Sequence, residues 1–293
     1  MTSLPSLQVA FPPSVYALAA IALWSSLATL GVELNHVPPF LLTGLSLVIG
    51  SLIALPLSGF KPARWRVPLS TLALGIYGLF SYHFLLFLAL RHAPAVQANL
   101  VNYLWPLLIV VLAPVILPGT KLRVVHVAAA LMGFAGAAVV ILGGNSSQVA
   151  GPGASAEVWG YLPALAAAFI WASYSLLTKR VAAFPTAAIG GFALVSGLLS
   201  LLCHALMEPA VHLTPRDWML IVIIGLGPLG AAFFLWDKAL KLGDARHIGI
   251  LSYLTPLLST AMLISVSGRA FTWPLALATA MIVGAAVVGT RAR

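Results

Sequence analysis

Charge is what this chain has least of. Only 7% of its 293 residues are Asp, Glu, Lys or Arg, against roughly 25% in an ordinary soluble domain. It therefore cannot furnish a water-facing surface. Hydrophobic residues make up 61% of the chain and the mean hydropathy is +1.05, so its expected solvent is lipid. A single cysteine, Cys203, excludes an internal disulfide and carries no metal-ligand spacing. No nucleotide-binding motif is present, and no metal or cofactor is expected. Residues 1–13 lack the positive start of a secretory signal, so the first apolar segment is expected to remain as a membrane helix.

What the chain has instead is apolar length. Ten segments approach the roughly 20 residues a helix needs to cross the hydrocarbon core: 14–34, 38–58, 68–90, 94–117, 123–142, 159–179, 185–207, 217–239, 245–267 and 271–290. The breaks between them are short and carry turn or charge signals. The longest, "GGNSSQVAGPGASAE", is rich in Gly and Ser and lies at the middle of the chain, as a linker would. The net charge of +9 would suggest nucleic acid in a soluble protein, but here it sorts by loop. With the N-terminus in the cytoplasm, twelve of the 15 Lys and Arg fall on the inner side, leaving Arg91, Arg216 and Arg269 outside. That bias places both termini in the cytoplasm, and nucleic acid drops out as a partner.

The two halves echo each other. Val101-Asn102-Tyr103-Leu104-Trp105-Pro106-Leu107-Leu108 aligns with Leu251-Ser252-Tyr253-Leu254-Thr255-Pro256-Leu257-Leu258 at a separation of 150 residues. Phe84 matches Phe234 at the same separation, and Ala19-Ala20…Trp24 matches Ala166-Ala167…Trp171 at 147. Chance similarity among Leu- and Ala-rich helices does not keep Trp, Tyr and Pro in register, so duplication is the better explanation. Five crossings per half is an odd number, so the second half starts on the opposite side of the membrane. The expected fold is an all-α integral membrane protein of ten transmembrane helices in two inverted five-helix repeats, 1–142 and 159–293, joined by a linker at 143–158. Such symmetry favours a site between the halves that opens alternately to each side.

Polar groups in hydrocarbon normally face the bundle interior or water. At 100° per residue, Asn99, Asn102, Tyr103 and Pro106 share one face of the fourth segment. The ninth segment repeats that face with Gly249, Ser252, Tyr253 and Pro256, and the sixth offers Trp171, Tyr174, Ser175 and Thr178. Trp24 on the first segment, and Tyr82 with His83 on the third, also lie well inside their segments. Asn102 has two readings, as glue between helices or as a cavity group. Trp65, Trp159, Trp218 and Trp273 sit at segment edges and read as an interfacial belt, while Trp105 falls off the polar face. His83 is the one intramembrane group whose ordinary titration range is near neutral; its role is proton coupling or plain hydrogen bonding. Asp237 and Lys238 read as rim. Pro106 and Pro256 each remove a backbone donor and are candidate hinges. A lining of aromatic, amide and hydroxyl groups without buried charge does not suit an anionic phosphate, which calls for basic partners. It suits a small net-neutral molecule with an apolar or aromatic side chain.

"VNYLWP" at 101–106, "SYLTPLLS" at 252–259, "ALWS" at 22–25, "FIWASY" at 169–174 and "SY" at 81–82 resemble the drug/metabolite transporter superfamily. The resemblance lies in its EamA-type branch, with the aromatic amino-acid exporters, and spans essentially the whole chain. It implies a basket-shaped carrier that exports amino acids, with Trp24, Tyr82, Asn102, Tyr103, Trp171, Tyr174 and Tyr253 at or near a central cavity. The partners expected are small-molecule amino acids and the lipid bilayer, and a single copy is the working expectation. The rival within transport is a multidrug or quaternary-amine exporter. An intramembrane enzyme would need a catalytic constellation, and His83 has no carboxylate or nucleophile at a matching depth.

Overall fold

In the computed structural model, residues 11–143, 158–267 and 273–291 are described, and all of their regular structure is helical. Most of the expected 143–158 linker lies outside those residues, as does Arg269. Seven continuous helical runs are long and apolar enough to cross a membrane. They are Pro13–Gly31, Pro39–Leu57, Leu69–His92, Gln97–Ile116, Val124–Leu142, Thr186–Met207 and Pro215–Leu242. Tyr161–Leu177 and Trp273–Gly289 are shorter apolar helices. The outward surface remains oily, with Leu69, Val115, Val124, Trp159 and Leu206 fully or mostly exposed. Such a surface is stable only against lipid.

Several runs are broken inside. The first divides at Ser26 into α1 (Pro13–Ser25) and α2 (Leu27–Glu33), and the second into α3 (Pro39–Ser51) and α4 (Ala54–Leu57). The third comprises α5 (Leu69–Ile76), a π-helical turn at Tyr77–Ser81 and α6 (Tyr82–His92). Next come α7 (Ala95–Asn102), α8 (Trp105–Ile116) and α9 (Val124–Gly143). The second half has α10 (Tyr161–Leu177) and α11 (Ile189–Met207), then α12 (Pro215–Leu226), a second π-helical turn at Gly227–Ala231, and α13 (Ala232–Leu242). It ends with α14 (Ala245–Leu251), α15 (Leu254–Ser267) and α16 (Trp273–Arg291).

Local sequence explains the ends. "TPRD" starts α12 with a capping box: the Asp217 N–H donates to the Thr214 hydroxyl, and the Asp217 carboxylate accepts from the Thr214 N–H. Pro106 and Pro256 cannot donate to the carbonyls of Asn102 and Ser252, so the ladder is interrupted one turn earlier. There the chain tightens, with Leu104 N–H donating to the Val101 carbonyl and Tyr253 N–H to that of Ile250.

Packing crosses the halves reciprocally. α3 packs on α11 and α9 on α16, while α1 meets α13 just as α10 meets α6. Small residues permit the closest approach: a Cβ at Gly197 would sit 2.9 Å from the Gly44 carbonyl oxygen. Two buried carboxylates fasten helix ends. Glu208 accepts from the backbone N–H groups of Phe40 and Leu41, pairs with Arg91 at 3.0 Å and contacts His204 at 3.1 Å. Asp237 pairs with Lys241 at 2.7 Å and accepts from the Thr186 hydroxyl at 2.7 Å. Arg91 lies over the Phe40 ring and Lys241 over the Phe184 ring. Asp237 is therefore buried in an ion pair, where the rim position expected for it would have left it hydrated. Lys238 sits over the Tyr16 ring.

Candidate functional site

The broken helices surround a cavity of about 390 Å³. From the first half it is lined by Trp24 of α1, Leu27 and Gly31 of α2, and Thr43 of α3. The turn of α6 that follows the first π-helical turn adds Tyr82, His83 and Phe87. Asn99 and Asn102 come from α7, Tyr103 from the break and Trp105 from the start of α8. From the second half come Trp171 of α10, Ile224 of α12, Leu229 of the second π-helical turn and Phe233 of α13, with Thr255 and Ser259 of α15. The second π-helical turn thus delivers Leu229 to the wall, and the first immediately precedes Tyr82 and His83, in keeping with the frequency of such bulges at functional sites.

One end is aromatic. Trp24 lies edge-on to Trp171 at 5.8 Å, and Trp171 contacts Phe233 at 5.7 Å and Tyr82 at 5.4 Å. Beneath them Trp236, 1% exposed, touches Trp24 at 5.2 Å and Trp105 at 5.6 Å. The Trp236 indole N–H donates to the Ser175 hydroxyl at 3.2 Å, so its polar edge is satisfied.

The other part of the wall is polar but uncharged: none of the lining residues is Asp, Glu, Lys or Arg. The Asn102 amide N–H donates to the Tyr82 hydroxyl at 3.1 Å. His83 Nδ1 bonds the Leu79 carbonyl at 2.6 Å. A carbonyl only accepts, so the hydrogen is on Nδ1 and the ring is fixed in place. Two oxygens of the wall, Asn102 Oδ1 and Thr255 Oγ1, are buried without a hydrogen-bond partner. Each such group costs about 1–3 kcal/mol when left unmade. The Ser25 hydroxyl, shared with the Ile21 carbonyl, donates to the Thr255 backbone carbonyl at 3.1 Å and ties α1 to α15 at this level.

Of the residues singled out in the sequence, the structure brings Trp24, Tyr82, His83, Asn99, Asn102, Tyr103 and Trp171 into this wall. It does not bring Tyr174, Ser252 or Tyr253 there. The Tyr174 ring is seated on Gly78, where a Cβ would come within 2.3 Å of it, and stacks behind Trp171. The Ser252 hydroxyl turns back to the Gly249 carbonyl. Tyr253 is enclosed against Gly133 of α9 and packs with Ala137, Leu275 and Ile282. Projection on one ideal helix fails here because the chain breaks at Ser252–Tyr253. The contribution from this part of the second half instead comes from Thr255 and Ser259, which flank Pro256. Thr255 lies 150 residues beyond Trp105, and both line the cavity, although Trp105 reads as off the polar face of its segment. Phe233 carried no signal either.

Comparison with known proteins gives four concordant matches. The sequence profile of the EamA-like transporter family matches residues 12–142 and again 158–290. A protein of Ancylobacter novellus named aromatic amino acid exporter YddG is 46% identical over 275 residues, covering 92% of this chain and 94% of its own. The protein of the same name from Escherichia coli strain K12 is 30% identical over 258 residues, covering 84% and 85%. A solved crystal structure superposes with a TM-score of 0.87 at 43% identity, over 95% of this chain and 97% of that one.

Proposed function

Because the chain belongs to the EamA-like transporter family, we propose that it is an alternating-access secondary transporter that exports aromatic and other neutral amino acids from the cytoplasm. The observation that carries this reading is the cavity: aromatic rings and uncharged hydrogen-bonding groups adjoin at Tyr82, and no Asp, Glu, Lys or Arg lies in the wall. An aromatic side chain packs on Trp24, Trp171 and Phe233, while Asn102 and the neighbouring hydroxyls meet the polar head. Relatives named for aromatic amino-acid export support the substrate class. No phosphate or acidic metabolite finds a basic partner in this wall.

The ten crossings comprise the seven long runs, Tyr161–Leu177, Trp273–Gly289 and the broken α14–α15 pair. The halves, 1–142 and 159–293, are inverted. Two observations support this. The reciprocal packing of α1 on α13 and α10 on α6 is what a two-fold relation requires. The cavity also takes residues that precede Pro106 on one side, but Thr255 and Ser259, at and beyond the matching break, on the other. Antiparallel disposition of the repeats puts those stretches at the same membrane end. Ser252 and Tyr253 then belong to the mirror-image vestibule, which is closed in this conformation. Both termini are cytoplasmic, so the cavity faces the outside, and Pro106 and Pro256 act as hinges.

Flux of a radiolabelled panel in proteoliposomes tests the proposal. Saturable transport of Phe, Trp and Tyr, with little of Lys or glutamate, is expected. Transport of a quaternary ammonium dye without amino acids would establish the drug-exporter reading in its place. Single-cysteine labelling from either side tests the orientation.

A further inference from the structure

We propose that Asn102 Oδ1 and Thr255 Oγ1 form an acceptor pair that takes the protonated amine of the transported molecule. The inference rests on the transport reading and assigns one charged group of the cargo to one place in the wall. Asn102 is 4% exposed and Thr255 8% exposed, both line the same cavity, and neither oxygen has a partner.

The surroundings explain why these atoms are free. The Asn102 amide gives its N–H to the Tyr82 hydroxyl, so the carbonyl end is left over. An amide oxygen can only accept, and so needs a donor from the cargo. The hydroxyls of Thr29, Ser46, Ser196 and Ser200 are also buried without a partner, but of these five only that of Thr255 lines the cavity. Helical hydroxyls in this protein commonly turn back on a carbonyl of their own helix, as those of Ser25, Ser173, Ser252 and Thr279 do. Thr255 does not, although Ser25 grips its backbone from α1. A hydroxyl kept off its own helix in a cavity wall is held ready for a ligand.

An ammonium group presents three N–H donors and can satisfy both unpartnered oxygens. The wall has no carboxylate to balance a bare cation. A zwitterion, which carries its own counter-charge, is therefore taken in preference to a simple amine, and both in preference to a carboxylate lacking the amine. The pair thus reads the amine, while the rings read the side chain.

Competition against radiolabelled phenylalanine in proteoliposomes tests this with three probes that share one ring: phenylalanine, phenethylamine and 3-phenylpropionate. Wild-type protein should rank them in that order. Thr255→Val and Asn102→Leu should each raise the half-saturation for phenylalanine about 10- to 100-fold, the weight of a hydrogen bond to a charged group, without a matching change for 3-phenylpropionate. Thr255→Ser keeps the oxygen and should restore the ranking. Asn102→Asp adds the missing counter-charge and should move preference toward phenethylamine. Equal shifts for all three probes in Thr255→Val, or wild-type inhibition by 3-phenylpropionate as strong as by phenylalanine, would overturn the assignment. Wild-type protein that carries no amino acid at all would instead overturn the transport reading beneath it. Should Asn102→Leu fail to fold, Thr255→Val and Asn102→Asp decide alone.

Discussion

Trp236 shows how much of the cavity is made by residues that never touch its space. Its indole supports Trp24 and Trp105 from below, and the Ser175 hydroxyl fixes its edge. Trp236→Ala should lower stability by about 3–5 kcal/mol, read as a fall in Tm by fluorescence-detected size exclusion. Trp171→Ala removes a ring that faces the cargo itself. It should raise KM for tryptophan about ten-fold, in proportion to the burial of one aromatic face, with a smaller effect for alanine. Gly78 has the opposite constraint, since any Cβ there meets the Tyr174 ring. Gly78→Ala should cost about 1–3 kcal/mol and push Tyr174 toward Trp171. At this scale the sequence was partly legible. Seven intramembrane polar and aromatic residues pointed to the wall because a polar group in hydrocarbon needs a reason. Trp236 was silent, because a buried indole in a Leu- and Ala-rich helix looks like core. Thr255 was silent as well, since its counterpart in the repeat, Trp105, falls off the polar face of its segment.

Elements broken in mid-membrane are the main departure from the expected ladder of continuous helices. Prolines announced two of the breaks, at Tyr103–Leu104 and Ser252–Tyr253, because an imide nitrogen cannot complete the ladder. The π-helical turns were not legible in the same way. Pro228 gives a local reason for the second, but "YGLFS" in the first contains no residue that forces it. Only their separation of 150 residues ties the two together, at the period already visible in the sequence. If the proline breaks are hinges, Pro106→Ala and Pro256→Ala should slow turnover several-fold while leaving substrate affinity within about two-fold. Unchanged turnover and unchanged cysteine accessibility in both variants would remove the hinge role.

For the whole molecule, the two buried carboxylates tie helix ends together across the bundle. Arg91 and Lys241 are 150 residues apart, and each is fastened to a carboxylate and a phenylalanine ring at once. Both fastenings are made in the same conformation, one joining α3 to Arg91 and Glu208 and the other joining Thr186 to α13. Glu208→Gln, which removes the counter-charge of the part-exposed Arg91 and weakens the cap on α3, should cost about 1–3 kcal/mol. Its effect should appear in thermal stability while substrate ranking stays as in the wild type. The ring cluster of Trp24, Trp105, Trp171, Phe233 and Trp236 joins helices of both halves, and an alternating cycle that opens the opposite side of the cavity would part it. Wetting that much aromatic surface raises heat capacity. The transporter therefore carries its own thermometer: in a fluid bilayer free of lipid phase transitions, the plot of log turnover against reciprocal temperature should bend, and thinning the cluster with Trp236→Phe should straighten it.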